Sequence, residues 1–156
     1  MAHLQQEIDL PLSKVYEHLS NPVNFPKFLT DLEEVVKVNS KTFDYRATVG
    51  EKEYTWTTNV IDNLRNTRFA WITINGNLNQ TGTVRFTPLE NGTRTRVDMS
   101  LDYRTFFGAA EASLQTFIDE LPTRLAKHMA SFKQLVESDS FKDVEESLVA
   151  DNEVTA

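Results

Sequence analysis

Two asparagine–glycine pairs, Asn75-Gly76 and Asn91-Gly92, sit between runs in which apolar and polar residues alternate. Asn and Gly tolerate positive φ at both central positions of a tight turn, so each pair predicts a sharp antiparallel connection. Alternation with period two predicts strands that bury one face. A helical pattern follows the last such run and ends near Glu137. Short helical segments, a strand meander and one long closing helix describe an α+β chain whose curved sheet wraps a helix. Such an arrangement leaves room for an interior cavity.

The inward faces follow from parity. Leu4, Gln6, Ile8 and Leu10 mark a first strand, and Pro11 and Ser13 open a short helix carrying Leu12, Val15 and Leu19. Asn21-Pro22 ends it, because the residue before proline is pushed out of the helical region. Val23–Leu29 reads as a second short helix or turn with Phe25 and Phe28. Strands are then expected over Leu32–Asn39, Thr42–Val49, from Tyr54 to Val60, Phe69–Asn75, Leu78–Thr87 and Arg94–Tyr103. Their inner sets are Phe43, Tyr45, Ala47, Val49; Tyr54, Trp56, Thr58, Val60; Phe69, Trp71, Thr73; Gly82, Val84, Phe86; and Val97, Met99, Leu101, Tyr103. Ala109–Phe117 predicts a short helix. Pro122 predicts the first turn of a new one, where a missing N–H costs little. Leu125, Met129, Phe132, Leu135 and Val136 give that helix its apolar stripe.

At 156 residues the chain suffices for one domain with a proper core. Its net charge is −7. Residues 138–156 hold six acidic side chains against Lys142 alone, a net of −5, which leaves −2 for the rest. This disfavours nucleic acid and anionic surfaces as partners, since both select a basic stripe. No apolar run approaches the ~18 residues of a membrane span, and the first ten residues lack a secretory pattern. Cysteine is absent. These features together point to the cytoplasm. Within the tail, Phe141, Val144 and Leu148 offer a weak amphipathic turn, with a mobile tail as the alternative.

The order of elements and several short motifs resemble the SRPBCC superfamily, the START-like helix-grip proteins that include the birch-pollen allergen class. The nearer likeness is to its polyketide cyclase/dehydrase-like bacterial branch. The residues that carry it are Leu10-Pro11-Leu12-Ser13-Lys14-Val15-Tyr16, Phe25-Pro26-Lys27-Phe28, Trp56, Trp71 with Gly76, and Gly82-Thr83-Val84-Arg85-Phe86-Thr87-Pro88. Thr95-x-Val97 leading to Tyr103, and Phe132-Lys133 before Glu137, complete it. The resemblance spans residues 1–137, expected as one domain, and leaves the acidic tail, residues 138–156, outside. It implies a seven-stranded antiparallel sheet gripping a C-terminal helix with a cavity between them. Members include lipid, sterol, quinone and hormone carriers, aromatase/cyclases and protein-binding modules, and fold alone does not choose among these.

Three functions are therefore open. The first is binding of a hydrophobic or aromatic small molecule (a lipid, quinone or polyketide-like compound) in the cavity. The second is an aromatase/cyclase or dehydratase-type enzyme. The third is a protein-interaction module with a vestigial cavity. The candidate lining is Tyr45, Trp56, Thr58, Phe69, Trp71, Thr73, Val84, Phe86, Met99, Tyr103, Leu125, His128 and Met129. Aromatic side chains sharing one face either stack a ligand or fill a core. Gln6, Thr58, Thr73 and Gln80 are polar groups with inward parity. They either orient a ligand or bond one another.

His128 is the candidate catalytic residue. It lies three residues after Leu125 and four before Phe132, at the edge of the buried stripe, and imidazole exchanges protons near neutrality. The alternative is a histidine satisfied by a carbonyl or water. His3 and His18 read as surface residues. Three histidines without ligand spacing predict no metal site, and no phosphate loop or dinucleotide motif calls for a cofactor. Ile72 and Ile74 have outward parity and suggest a homodimer contact.

Overall fold

The computed structural model describes residues 1–138; residues 139–156, with Phe141, Val144 and Leu148, lie outside the described residues. Strands β1 (Ala2–Ile8), β2 (Leu32–Lys37), β3 (Thr42–Val49), β4 (Lys52–Leu64), β5 (Arg68–Gly76), β6 (Asn79–Leu89) and β7 (Arg94–Arg104) form one antiparallel sheet. Its order is β1-β7-β6-β5-β4-β3-β2. Helix α1 (Leu12–Leu19) and a 3-10 segment (Pro22–Lys27) link β1 to β2, and α2 (Ala112–Asp119) leads into the long α3 (Leu121–Glu137). This is the helix-grip α+β architecture. No helix among the described residues is long and apolar enough to cross a membrane.

The sheet curls where β4 and β5 each carry a bulge. Against β5, the register of β4 slips between Thr57 and Thr58 and again between Val60 and Asp62. The first slip leaves Ile74 of β5 unpaired and the second leaves Ile61 of β4 unpaired, and each such extra residue bends the strand that carries it and sharpens its twist. The hollow so formed receives α3, whose buried face is Leu121, Leu125, His128, Met129, Phe132 and Val136. Pro122 sits in the first turn of α3, as its missing N–H predicts. Phe132 is fully buried and its ring lies 4.8 Å from that of Phe28. The inward parities of β3, β4, β6 and β7 hold, apart from Val60, which is only half-buried.

Four details differ from the sequence expectations. His18 is buried, not superficial. Helix α1 packs on β6 and β7 and also against the 3-10 segment, so it is covered over more than one narrow stripe. Second, Asn75-Gly76 is not a tight turn. The end of β5 stays paired with β4 through Trp56↔Gly76, and the chain reverses at Asn77 and the fully buried Leu78. Gly76 is required for close approach: a Cβ there would lie 2.4 Å from the Thr55 carbonyl oxygen. Asn91-Gly92 does form a hairpin connection, with φ of 59° and 85°, between the paired Leu89 and Arg94. Third, β2 stops at Lys37 and β6 continues to Leu89. Fourth, α2 starts at Ala112, leaving residues 105–111 as a loop.

Candidate functional site

The inner face of the sheet carries its aromatic residues in a connected series. The Tyr45 ring stacks on Trp56 at 5.5 Å, and Trp56 meets Tyr103 edge-on at 6.2 Å. Trp71 touches Phe69 and Phe25, and Phe86 touches Tyr16. Phe69, Val84, Phe86 and Met99 are core residues, Phe86 packing against Tyr16 of α1, while Leu125 and Met129 lie on the buried face of α3. Thr73 is half-buried, and its hydroxyl is committed to the backbone: it donates to the Gln80 carbonyl at 2.6 Å and accepts from the Gln80 N–H at 2.9 Å.

Gln80 organises the polar interior. Its Oε1 accepts from the indole N–H groups of Trp56 and Trp71, and its Nε2 donates to the Tyr103 hydroxyl oxygen at 3.1 Å. Two indoles on the oxygen fix the amide's orientation. Tyr103 is then an acceptor toward Gln80 and keeps its own O–H to donate elsewhere. The Tyr45 hydroxyl lies beside Thr58 but makes no hydrogen bond of normal geometry. Burial pushes both phenols well above their ordinary range, so both are neutral donors.

A charged cluster closes this interior on the α3 side. Arg124 and His128 lie four residues apart on one face of α3, and Asp31 stands just before β2. Asp31 Oδ2 is 3.0 Å from Arg124 Nε and 3.4 Å from His128 Nε2. Burial alone would raise the Asp31 carboxyl, but His128 and Arg124 outweigh it and hold the group below its usual range. The Arg124 guanidinium lies 4.0 Å from the centre of the Phe117 ring, which meets Tyr103 edge-on at 5.1 Å. Arg124 Nη2 and His128 Nε2 are buried and, among the described residues, have no hydrogen bond of normal geometry.

A groove of about 560 Å³ opens at one end of the sheet, where the β3–β4 hairpin, the β5–β6 turn and the β7–α2 loop meet; Asp31, Tyr103, Arg124 and His128 are not among the residues that line it. Leu114 of α2 contributes to its wall, and Phe117, one turn later, reaches Tyr103. The sequence pattern singled out Tyr103, Gln80 and His128 and did not single out Asp31 or Arg124. The i, i+4 spacing of Arg124 and His128 was a usable signal. Asp31, a lone acid between Leu29 and Leu32, gave none. Among the described residues, no group of three or more metal-ligating side chains occurs.

The profile of the family described as polyketide cyclase / dehydrase and lipid transport matches residues 1–130. No curated protein matches the chain. Among solved structures, a Deinococcus radiodurans protein superposes with a TM-score of 0.70 at 18% identity, covering 86% of this chain and 95% of that one. A START superfamily protein from Mycobacterium smegmatis gives 0.68 at 13% identity, covering 87% and 96%. The Zhui aromatase/cyclase from Streptomyces sp. R1128 gives 0.64 at 15% identity, covering 92% and 94%. At these identities the likeness speaks to fold.

Proposed function

The chain belongs to the polyketide cyclase / dehydrase and lipid transport family, and from that premise we propose that it binds an apolar small molecule between sheet and α3, with a hydrogen-bond acceptor of the ligand turned toward Arg124 and Tyr103. The observation that carries this reading is Arg124 Nη2, a charged donor that is buried with no hydrogen-bond partner among the described residues. Leaving such a donor unpaired costs about 1–3 kcal/mol or more, and a ligand carbonyl that meets it recovers part of that. The Tyr103 O–H, oriented by Gln80, supplies a second donor nearby. Phe117, Tyr103 and Trp56 give the apolar surface against which a ring or chain would lie.

Trp56 and Trp71 are the only tryptophans and serve as reporters. A long-chain methyl ketone should change their fluorescence saturably with micromolar affinity, about −8 kcal/mol, and an alkane of equal length should bind more weakly. Arg124→Met should remove that preference, as should Tyr103→Phe in part. A protein that answers to neither compound, and from which native mass spectrometry recovers no bound molecule, would overturn the reading.

A second reading, the aromatase/cyclase type of enzyme, draws on the contact between His128 and Asp31. A carboxylate oxygen 3.4 Å from the imidazole is the kind of neighbour a general acid–base histidine uses. His128→Ala separates the two. A carrier would keep its ligand with a modest change in affinity. An enzyme would keep the ligand and lose turnover by roughly 10²–10⁴-fold.

A further inference from the structure

Three large apolar side chains stand exposed on the rim of the groove: Phe107 at 92%, Ile74 at 51% and Phe106 at 40%. Phe106 and Phe107 occupy the β7–α2 loop, which is tied across its base because the Thr105 hydroxyl donates to the Gly108 carbonyl at 2.7 Å. Gly108, at φ 70°, allows the chain to turn there. The two rings are thus held at a tip. Resting on the ligand reading above, we propose that this rim docks on the surface of an electroneutral lipid bilayer, from which the apolar ligand passes to its place between sheet and α3.

The charge around the rim selects this partner over an anionic surface. Lys52 and Arg104 are the nearby cations, and each already faces a carboxylate: Lys52 lies 3.5 Å from Glu111 and Arg104 lies 2.6 Å from Asp102. Glu51 and Glu53 flank Lys52 in sequence. Among the described residues, no basic excess remains at the rim to recruit acidic headgroups. Attachment then rests on aromatic and aliphatic side chains entering the interface, where phenylalanine and isoleucine are favourable. The groove lies behind those side chains, so docking sets its opening against the acyl layer in which an apolar ligand dissolves.

The test uses Phe107→Trp as a probe, since Trp56 and Trp71 are buried and a third indole at the tip reports separately. With phosphatidylcholine vesicles its emission should shift to the blue and be quenched by brominated acyl chains. High salt or added phosphatidylglycerol should change neither effect. In the otherwise unaltered chain, Phe106→Ser with Phe107→Ser should reduce co-sedimentation with the vesicles by roughly tenfold or more. The same double variant should still bind the methyl ketone from solution, so loss of docking is distinguishable from failure of the ligand reading. The proposal is overturned by an unshifted emission from the Phe107→Trp probe, by binding that needs anionic lipid, or by co-sedimentation that survives the double variant. Concentration-dependent self-association that the double variant abolishes would also overturn it, by assigning the rim to a second copy of the chain.

Discussion

Trp56 and Trp71 converge on one oxygen: their indole nitrogens lie 3.2 and 3.1 Å from Gln80 Oε1. The three residues sit on β4, β5 and β6, where the β5–β6 ladder stops. Its last backbone pair is Trp71↔Gly82. Beyond it, the Thr73 hydroxyl and the Gln80 amide supply the cross-strand bonds that the backbone no longer makes. Side chains thus hold β5 and β6 together at the end of the sheet next to the groove.

Gln80→Leu keeps the volume approximately and removes the acceptor. Two indole N–H groups are then buried unpaired, and Tyr103 loses its donor. At about 1–3 kcal/mol for each stranded group, partly relieved by relaxation, a loss of about 2–4 kcal/mol is expected. Urea unfolding followed by far-UV circular dichroism measures it. A cost below about 1 kcal/mol would show that the indoles find other partners and that the network does not hold the strands.

Gly82→Ala tests the same corner by crowding. A Cβ at position 82 would sit 2.2 Å from Trp71 Cζ2. The ring cannot retreat freely, because its nitrogen is bonded to Gln80. Overpacking of this kind costs about 1–3 kcal/mol, a fall of roughly 5 °C in the melting midpoint for a chain of this length. An unchanged midpoint would mean that Trp71 swings aside at no cost.

The fold was legible in the sequence because it rests on parity. Tyr45, Trp56, Val84, Met99 and Tyr103 alternate with polar neighbours, and the α3 stripe repeats at helical spacing, so the local pattern alone assigned their faces. What pattern could not supply was contact between distant segments. Asp31 meets Arg124 across 93 residues, and nothing local marks either as the other's partner. His18 was misjudged for the same reason. Its burial comes from β6, β7 and the 3-10 segment closing over α1, not from the period of α1 itself. Asn75-Gly76 failed as a turn because β4, a tertiary neighbour, keeps that stretch in the sheet.

The burial of His18 has a consequence in acid. Desolvation lowers its pKa from 6.5 to about 4. Above pH 6.5 the ring is neutral in both folded and unfolded chains and stability is at its full value. As pH falls from 6.5 toward 4, the unfolded chain takes up a proton that the folded chain refuses, so stability falls. The whole effect is at most about 3 kcal/mol. Asp31, whose pKa is lowered, adds its own loss only below the ordinary carboxylate value of 3.8. Denaturant midpoints measured from pH 7 to pH 4 should therefore decline in the native protein and decline less in His18→Gln. Equal slopes would show that His18 titrates normally in the fold.

Asp31 and Arg124 give the sharpest test of the charged cluster. Their side chains are only 15% and 21% exposed, so removing one leaves the other charged in a poorly solvated place. A fully buried pair broken in this way costs about 3–5 kcal/mol, and partial exposure should reduce that to about 2–3 kcal/mol for Asp31→Asn. Arg124→Gln should cost less, because His128 still faces the Asp31 carboxylate. The double variant should be more stable than the sum of the two losses implies, with a coupling of about 1 kcal/mol or more. Strict additivity would carry a different meaning. Arg124 would then be held chiefly by the Phe117 ring 4.0 Å away, and the carboxylate would be incidental to its position.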